Sequence, residues 1–225
     1  MLRRAPKRHA VTLFRMLETN PSATDPSGVH RTITPSVLYF GTPVGVLSTA
    51  NADGTSNLAP ISSYWALDDF LVIGLGATGH SIANLRRRPE LVLNLVDEGR
   101  WEPVERLGRT TGADPIPEGK REGTRFVADK FAAADWHPLS SSTVAPDRVA
   151  ELPVHLEARV TGIHEEPDGL ASVHARVRAV HVADELTIPG TSHVNPERWR
   201  PLIYNFRHYY GLGDRRGIAG IAEVQ

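Results

Sequence analysis

Between Asn57 and Leu95 the chain reads NLAPISSYWALDDFLVIGLGATGHSIANLRRRPELVLNL, two strand patterns joined to a Gly/Thr/Ser turn and a short helix pattern. The apolar run Phe70, Leu71, Val72, Ile73 predicts a buried strand. Gly74, Gly76 and Gly79 break it, and Ile82, Leu85 and the basic run Arg86, Arg87, Arg88 resume at helical spacing before Pro89. A helix starting there presents free backbone N–H groups and the positive end of its dipole to an anion. Thr78 and Ser81 add hydroxyls, and His80 adds a positive charge when protonated. A plain strand-to-helix turn, with Ser81 capping its own helix, fits the local sequence equally well.

Gly74, Gly76 and Gly79 also spell G-x-G-x-x-G, with Asp97 at the end of the next apolar strand, the outline of a dinucleotide-binding fingerprint. The context argues against it. The helix is short for a crossover, and its flanks read as hairpins with no regular strand–helix alternation to build a parallel sheet. VLYFGTPVGVLSTA and TSNLAPISSYWAL flank the turn NADG and are expected to pair; Asp68 and Asp69 then turn the chain into FLVIGL. Later, LPVHLEARVTGIHEE and LASVHARVRAVHVADEL alternate on either side of PDG and predict a second hairpin. An antiparallel meander follows.

Residues 98–150 interrupt the strands with a helix expected around Trp101 to Leu107 and a turn-rich remainder, a long insertion of short helices and ordered loop suited to a lid, a partner surface or a cover over sheet edges. Residues 1–31 read as an N-terminal extension with a basic start, leaving 32–225 as one domain. The tail WRPLIYNFRHYYGLG gathers Trp199, Tyr204, Phe206, Tyr209 and Tyr210, aromatics expected on a core or an interface.

Charge is balanced, with 25 Lys plus Arg against 26 Asp plus Glu, so no global field draws the protein to nucleic acid or an acidic membrane. The absence of cysteine excludes disulfides, thiolate metal sites and thiol catalysis, so redox chemistry would require a bound cofactor. No apolar run approaches the roughly 20 residues that span a bilayer, and the basic N-terminus lacks a secretory apolar core, which makes the cytoplasm the expected location. His155, His164, His174 and His181 lie in or beside the late strands, where alternate faces are expected to separate them, and no metal is expected. G-x-S-x-G is absent, which leaves Ser62 and Ser63 weak candidates for a hydrolase.

YFGTPVGVLSTANADGTSNLAPISSYWAL, GLGATGHSIANLRRRPELVLNL, VAPDRVAELPVHLEARV and WRPLIYNFRHYYGLG, taken in order, resemble the flavin reductase-like family, FMN-binding split barrels of the flavoredoxin type. The resemblance covers roughly residues 32 to 215. It implies a mainly β fold with short helices, an antiparallel Greek-key split β-barrel. It also implies a homodimer holding FMN at its interface, with hydride supplied by NADH or NADPH to flavin N5 and electrons passed to a small-molecule or protein acceptor. A flavin carrier or sensor without turnover would have nearly the same sequence. By the same resemblance Asn57, Leu58, Ala59, Pro60 and Ile61 lie along the isoalloxazine, Ser62 and Ser63 reach toward the ribityl phosphate, and Ala77, Thr78, Gly79, His80 and Ser81, with Asn84 one turn on, form the phosphate turn. Some relatives place Lys where this chain has His80, which makes a pH-dependent phosphate affinity an expectation. No side chain is nominated as catalytic, because the chemistry belongs to the cofactor. Arg86, Arg87 and Arg88 are read first as a basic helix end complementing its own dipole, and second as a guide for a nicotinamide phosphate.

Overall fold

A computed structural model describes residue 28, residues 30–118, residue 120 and residues 122–219. The basic start of the N-terminal extension, where a helical turn or two is expected, lies outside the described residues. The order is β1 (Phe40–Pro43), β2 (Gly45–Ala50), β3 (Ser56–Ile61), β4 (Tyr64–Leu67), β5 (Phe70–Gly76), α1 (His80–Arg87), β6 (Glu90–Leu95), α2 (Trp101–Gly108) and β7 (Thr110–Thr111). There follow β8 (Arg125–Phe126), α3 (Lys130–Ala134), β9 (Pro138–Leu139), β10 (Arg148–Val149), β11 (Val154–Glu165), β12 (Leu170–Val182), β13 (Ile203–Asn205) and β14 (His208–Tyr210).

Seven strands form the main sheet in the order β3-β2-β6-β11-β12-β5-β4, every neighbour antiparallel. The two ends of that order, β3 and β4, are consecutive in the chain and separated by Ser62 and Ser63 alone. The expected second strand therefore bends at the serine pair, and its halves bound opposite edges. Such a bend curls the sheet. Leu47 of β2, Leu71 and Ile73 of β5, Leu91 and Leu93 of β6 and Val173 of β12 accordingly meet in one core, with Ile82 and Leu85 of α1 packed into it. The connection through α1 carries the chain from β5 past the places that β11 and β12 later fill, which is a Greek-key return.

Every residue of β2 is buried, on both faces, so period-2 alternation is hidden there. The outer cover is the 98–150 segment: Val46, Leu58 and Val96 pack against Val104 and Leu107 of α2, Phe131 and Ala134 of α3, and Trp136. This insertion also contributes two short strand pairs, β9 with β10 antiparallel and β7 with β8 parallel, which its turn-rich sequence did not suggest. Two polar clasps hold it to the barrel. Asn94 donates to Val46 O and Ser48 Oγ and accepts from Val149 N. Glu157, fully buried, accepts from the backbone N–H groups of Ser142 and Thr143, from Thr143 Oγ1 at 2.6 Å and from His181 Nε2 at 2.8 Å. Burial pushes the Glu157 carboxyl up, but the bonds from Thr143, Ser142 and His181 outweigh it and hold the carboxyl down at about 2.

The aromatic tail forms the hairpin β13-β14, which pairs with β1. Tyr204 and Tyr209 pack on the outer core, while Phe206 stands beside Phe40 at 4.5 Å between ring centroids. The late histidines correct the sequence expectation. The register shift between Val160 and Gly162 keeps Leu156, Ala158, Val160 and Ile163 on the inner core, so His155 and His164 share the other face of β11, and the facing strand brings a partner to each: His155 lies opposite His181, and the His164 and His174 rings are 4.5 Å apart. Among the described residues no group of three or more His, Asp or Glu gathers to hold a metal ion, and no helix is long and apolar enough to cross a membrane.

Candidate functional site

Two cavities of 370 and 400 Å³ adjoin along β3, sharing Pro60, Ile61, Leu75, Gly76 and Gly108 in their walls. They form one groove with chemically different ends. The first end is walled by Asn57–Ile61, by the α1 start from Thr78 to Ile82, and by Thr110–Gly112, with Lys120 and Lys130 reaching it from the insertion. At the second end Tyr39, Tyr204 and Tyr209 face Ser62, Ser63 and Glu105.

Gly79 caps α1 in an extended conformation with no side-chain hydrogen bond, which leaves first-turn amides at the groove wall without a capping group. Ser81 does not cap its own helix. Its hydroxyl instead accepts from Asn57 Nδ2 at 3.3 Å, tying α1 to β3. Gly112 is pressed against this junction: a Cβ there would stand 2.7 Å from Asn57 Oδ1 and 2.6 Å from His80 Cδ2.

His80 lines the groove but is not the expected cation. Asn51 Nδ2 donates to Thr55 Oγ1, which fixes Asn51 Oδ1 as the acceptor facing His80, and His80 Nε2 donates to it at 2.8 Å. Burial, then the charges of Lys130 and Arg87, lower the His80 pKa, so the ring is neutral at neutral pH. Asn84 and Ala77 stand behind the groove wall. Asn84 donates to Thr49 Oγ1 and Asn51 Oδ1 and so steadies the loop that orients His80, while Ala77 is buried in the barrel core.

Ser62 and Ser63 line only the second end of the groove. Their hydroxyls are already committed: Ser62 Oγ shares a 2.7 Å hydrogen bond with Thr42 Oγ1 and donates to Pro43 O, and Ser63 Oγ donates to Gly74 O at 2.7 Å. These bonds tie the β3–β4 bend to β1 and β5. Arg86 bonds Ala77 O and Glu165, and Arg87 bonds Ala50 O and Asn84, roles within the fold that favour the first reading of that basic run. Asp97 caps the 3-10 turn before α2 and pairs with Arg100, which removes it as a ribose ligand.

Sequence reasoning passed over Lys130. It is only 2% exposed, lines the first end of the groove and donates to Thr110 Oγ1. Burial, then the charge of Lys120, brings its pKa from 10.5 down to about 8. The available signal was its position. A cation in the first turn of an apolar helix, after the N-cap Asp129, opposes the helix dipole.

The fold is an antiparallel split barrel whose groove has a helix N-terminus, the buried Lys130 and the exposed Lys120 at one end and tyrosines at the other. The flavin reductase like domain model matches residues 37–213, and the chain belongs to this family of flavin-dependent oxidoreductases. It is 42% identical over 188 residues to the uncharacterized protein YdfE of Bacillus subtilis, covering 82% of this chain and 90% of that protein. Among solved structures it is similar to flavoredoxin of Desulfovibrio vulgaris (TM-score 0.68, 17% identity, covering 86% of this chain and 98% of the other). It is also similar to the 2-nitrobenzoate 2-nitroreductase NbaA of Pseudomonas fluorescens (TM-score 0.66, 21% identity, covering 82% and 86%). The NADH:FAD oxidoreductase SgcE6 of Streptomyces globisporus matches at TM-score 0.57 and 14% identity over 78% of this chain and 89% of that one. These likenesses establish the fold.

Proposed function

We propose that the protein is an NAD(P)H-dependent flavin reductase that binds FMN in the groove along β3. The observation that carries this reading is the continuity of the two cavities across Pro60, Ile61 and Gly76, which matches a ligand with a flat ring at one end and a charged group at the other. The residues present fit such a ligand. Ala59 and Pro60 offer small side chains where a flat ring must lie close to backbone, and the α1 amides with Thr78 offer donors to a phosphate. A bound flavin supplies the electron-accepting ring, which takes hydride from a reduced nicotinamide and passes electrons to an acceptor. The protein's part is positional. Asn57, held by Ser81, fixes the edge of β3 relative to α1, so ring wall and phosphate wall keep one spacing. Leu58 is turned into the outer core and anchors that strand from behind. Tyr209, whose pKa burial, the Glu105 charge and the neighbouring Tyr204 raise, stays neutral and lines the groove.

A homodimer is part of the proposal. Phe40, 68% exposed, with Leu38, Phe206 and Tyr210, puts apolar surface on the β1-β13-β14 face, and burying it in a second copy removes that surface from water. Sedimentation at micromolar concentration is expected to show a dimer that Phe40→Arg dissociates.

The reading is tested by adding FMN, removing the excess, and adding NADH or NADPH without oxygen. Retained flavin that bleaches supports the reductase and names its donor. Retained flavin that stays oxidised with both would replace it with a carrier.

A further inference from the structure

The second end of the groove is chemically unlike the first. Its cavity, at 400 Å³, is as large as the other, at 370 Å³, and each is big enough to hold a small molecule by itself. Tyr39, Tyr204 and Tyr209 stand along its wall, with ring centroids 5.3 Å apart for the first pair and 5.4 Å for the second. Among the described residues of that wall, Glu105 alone carries a charge. Arg109, largely exposed and outside the wall, pairs with Glu105 Oε1 at 3.0 Å, and Tyr209 donates its hydroxyl to Oε2 at 3.4 Å. The hydroxyls of Ser62 and Ser63 are spent on Thr42, Pro43 and Gly74. An anion entering this end would therefore give up water, find no cation among the described residues of the wall, and meet a carboxylate. A flat ring without negative charge meets aromatic side chains instead.

We propose that the tyrosine end of the groove binds the electron acceptor and selects planar aromatic acceptors that are uncharged or cationic, quinones being the class that fits. This rests on the flavin reading above. Pro60, Ile61, Leu75 and Gly76 belong to both cavities, so a flavin ring seated along Ala59 and Pro60 has the tyrosine end as its neighbour. A quinone combines a flat uncharged ring with the capacity to take two electrons. Over one cycle NAD(P)H and one proton convert it to the hydroquinone: each carbonyl oxygen gains a hydrogen, the nicotinamide is oxidised, and the flavin ends as it began. Selection has two separable parts. The tyrosines act through their ring faces, whereas Glu105, on α2 and held by Arg109 and Tyr209, acts through charge and disfavours anionic rivals.

The test uses the full-length protein with FMN, the nicotinamide that bleaches it, and two acceptors, 1,4-naphthoquinone and its 2-sulfonate. The ratio of kcat/KM for the two is measured in the wild type and in Glu105→Gln, and comparing the ratios cancels the quinones' different reduction potentials. The wild type is expected to favour the uncharged quinone. Glu105→Gln should narrow that preference about 3- to 5-fold, the upper range for a half-exposed charge, and Glu105→Asp should keep it. A ratio unchanged in Glu105→Gln overturns the proposal. Calorimetric titration of the oxidised, FMN-loaded protein gives a readout without turnover. N-methylquinolinium should bind more tightly than naphthalene-2-sulfonate; Tyr39→Ala should weaken that binding about 3- to 10-fold, and Tyr39→Phe should preserve it. Equal binding of cation and anion, or wild-type affinity in Tyr39→Ala, overturns the proposal. A flavin that bleaches with nicotinamide but is reoxidised by neither quinone overturns the acceptor site and leaves the reductase reading intact. A flavin that never bleaches overturns both.

Discussion

Asn57 on β3 and Ser81 on α1 are joined side chain to side chain at 3.3 Å, across 24 residues of sequence and inside the protein. This bond connects the strand proposed to lie along the flavin ring with the helix proposed to receive its phosphate. Thr78→Ala combined with Ser81→Ala is expected to weaken FMN binding about tenfold or more while the protein stays folded, because it removes one exposed hydroxyl and one buried acceptor. Equilibrium titration with FMN, alongside thermal unfolding, measures both. Unchanged affinity would remove both hydroxyls from the site and leave α1 only its backbone amides.

Gly112 tests the same junction from the other side. Gly112→Ala drives a methyl into Asn57 Oδ1 and the His80 ring, so one of the two must move. The cost to stability is expected at about 1–3 kcal/mol, the usual range for overpacking. Flavin affinity should fall more than that of Gly76→Ala, where a Cβ meets nothing within 4 Å. Comparing the two variants by denaturant unfolding and FMN titration separates crowding from loss of glycine itself.

Flavin affinity should depend on pH through Lys130 and not through His80. His80 is already neutral at neutral pH, and its step is expected below its ordinary midpoint. Lys130 is charged below about 8 and loses its proton above it. An anion prefers the charged form, so FMN affinity should be level from about pH 7 to 8, where the phosphate is a dianion, and decline above it, with Lys130→Arg abolishing the decline. The ligand-free protein should behave in the opposite sense. Because the unfolded lysine binds its proton up to 10.5, the unfolded state holds more protons between pH 8 and 10.5, and stability from this group rises with pH there.

Glu157 governs the acid limb. Its folded pKa of about 2 lies below the ordinary 4.5, so the folded state favours the carboxylate. The stability this contributes is fully present above pH 4.5 and is lost as pH falls toward 2. Glu157→Gln should flatten the pH dependence of urea unfolding in that window. Glu157→Ala, which strands the donors of Ser142, Thr143 and His181, should cost about 3 kcal/mol at neutral pH. An acid limb as steep in Glu157→Gln as in the wild type would show that other carboxylates carry it.

The local pattern of residues by itself determined the antiparallel character of this protein. NADG between apolar runs, Asp68–Asp69 before FLVIGL and PDG between the long alternating strands are short-range signals, and each became a hairpin. The helix after Gly79 was equally legible, since Ile82 and Leu85 fall on one face and Pro89 follows its end. Tertiary structure alone decided which groups are charged and which are free. His80 reads as a cation until Asn51 and burial make it neutral, and Ser62 and Ser63 read as ligands until the bend between β3 and β4 occupies their hydroxyls. Lys130 draws no notice in the sequence, and only the folded chain buries it beside Thr110 in the groove wall. The division has a physical cause. Hairpins and helix ends are specified by neighbours a few residues apart, whereas proton affinity and hydrogen-bond commitment depend on solvent exclusion and on partners that the chain delivers from tens of residues away.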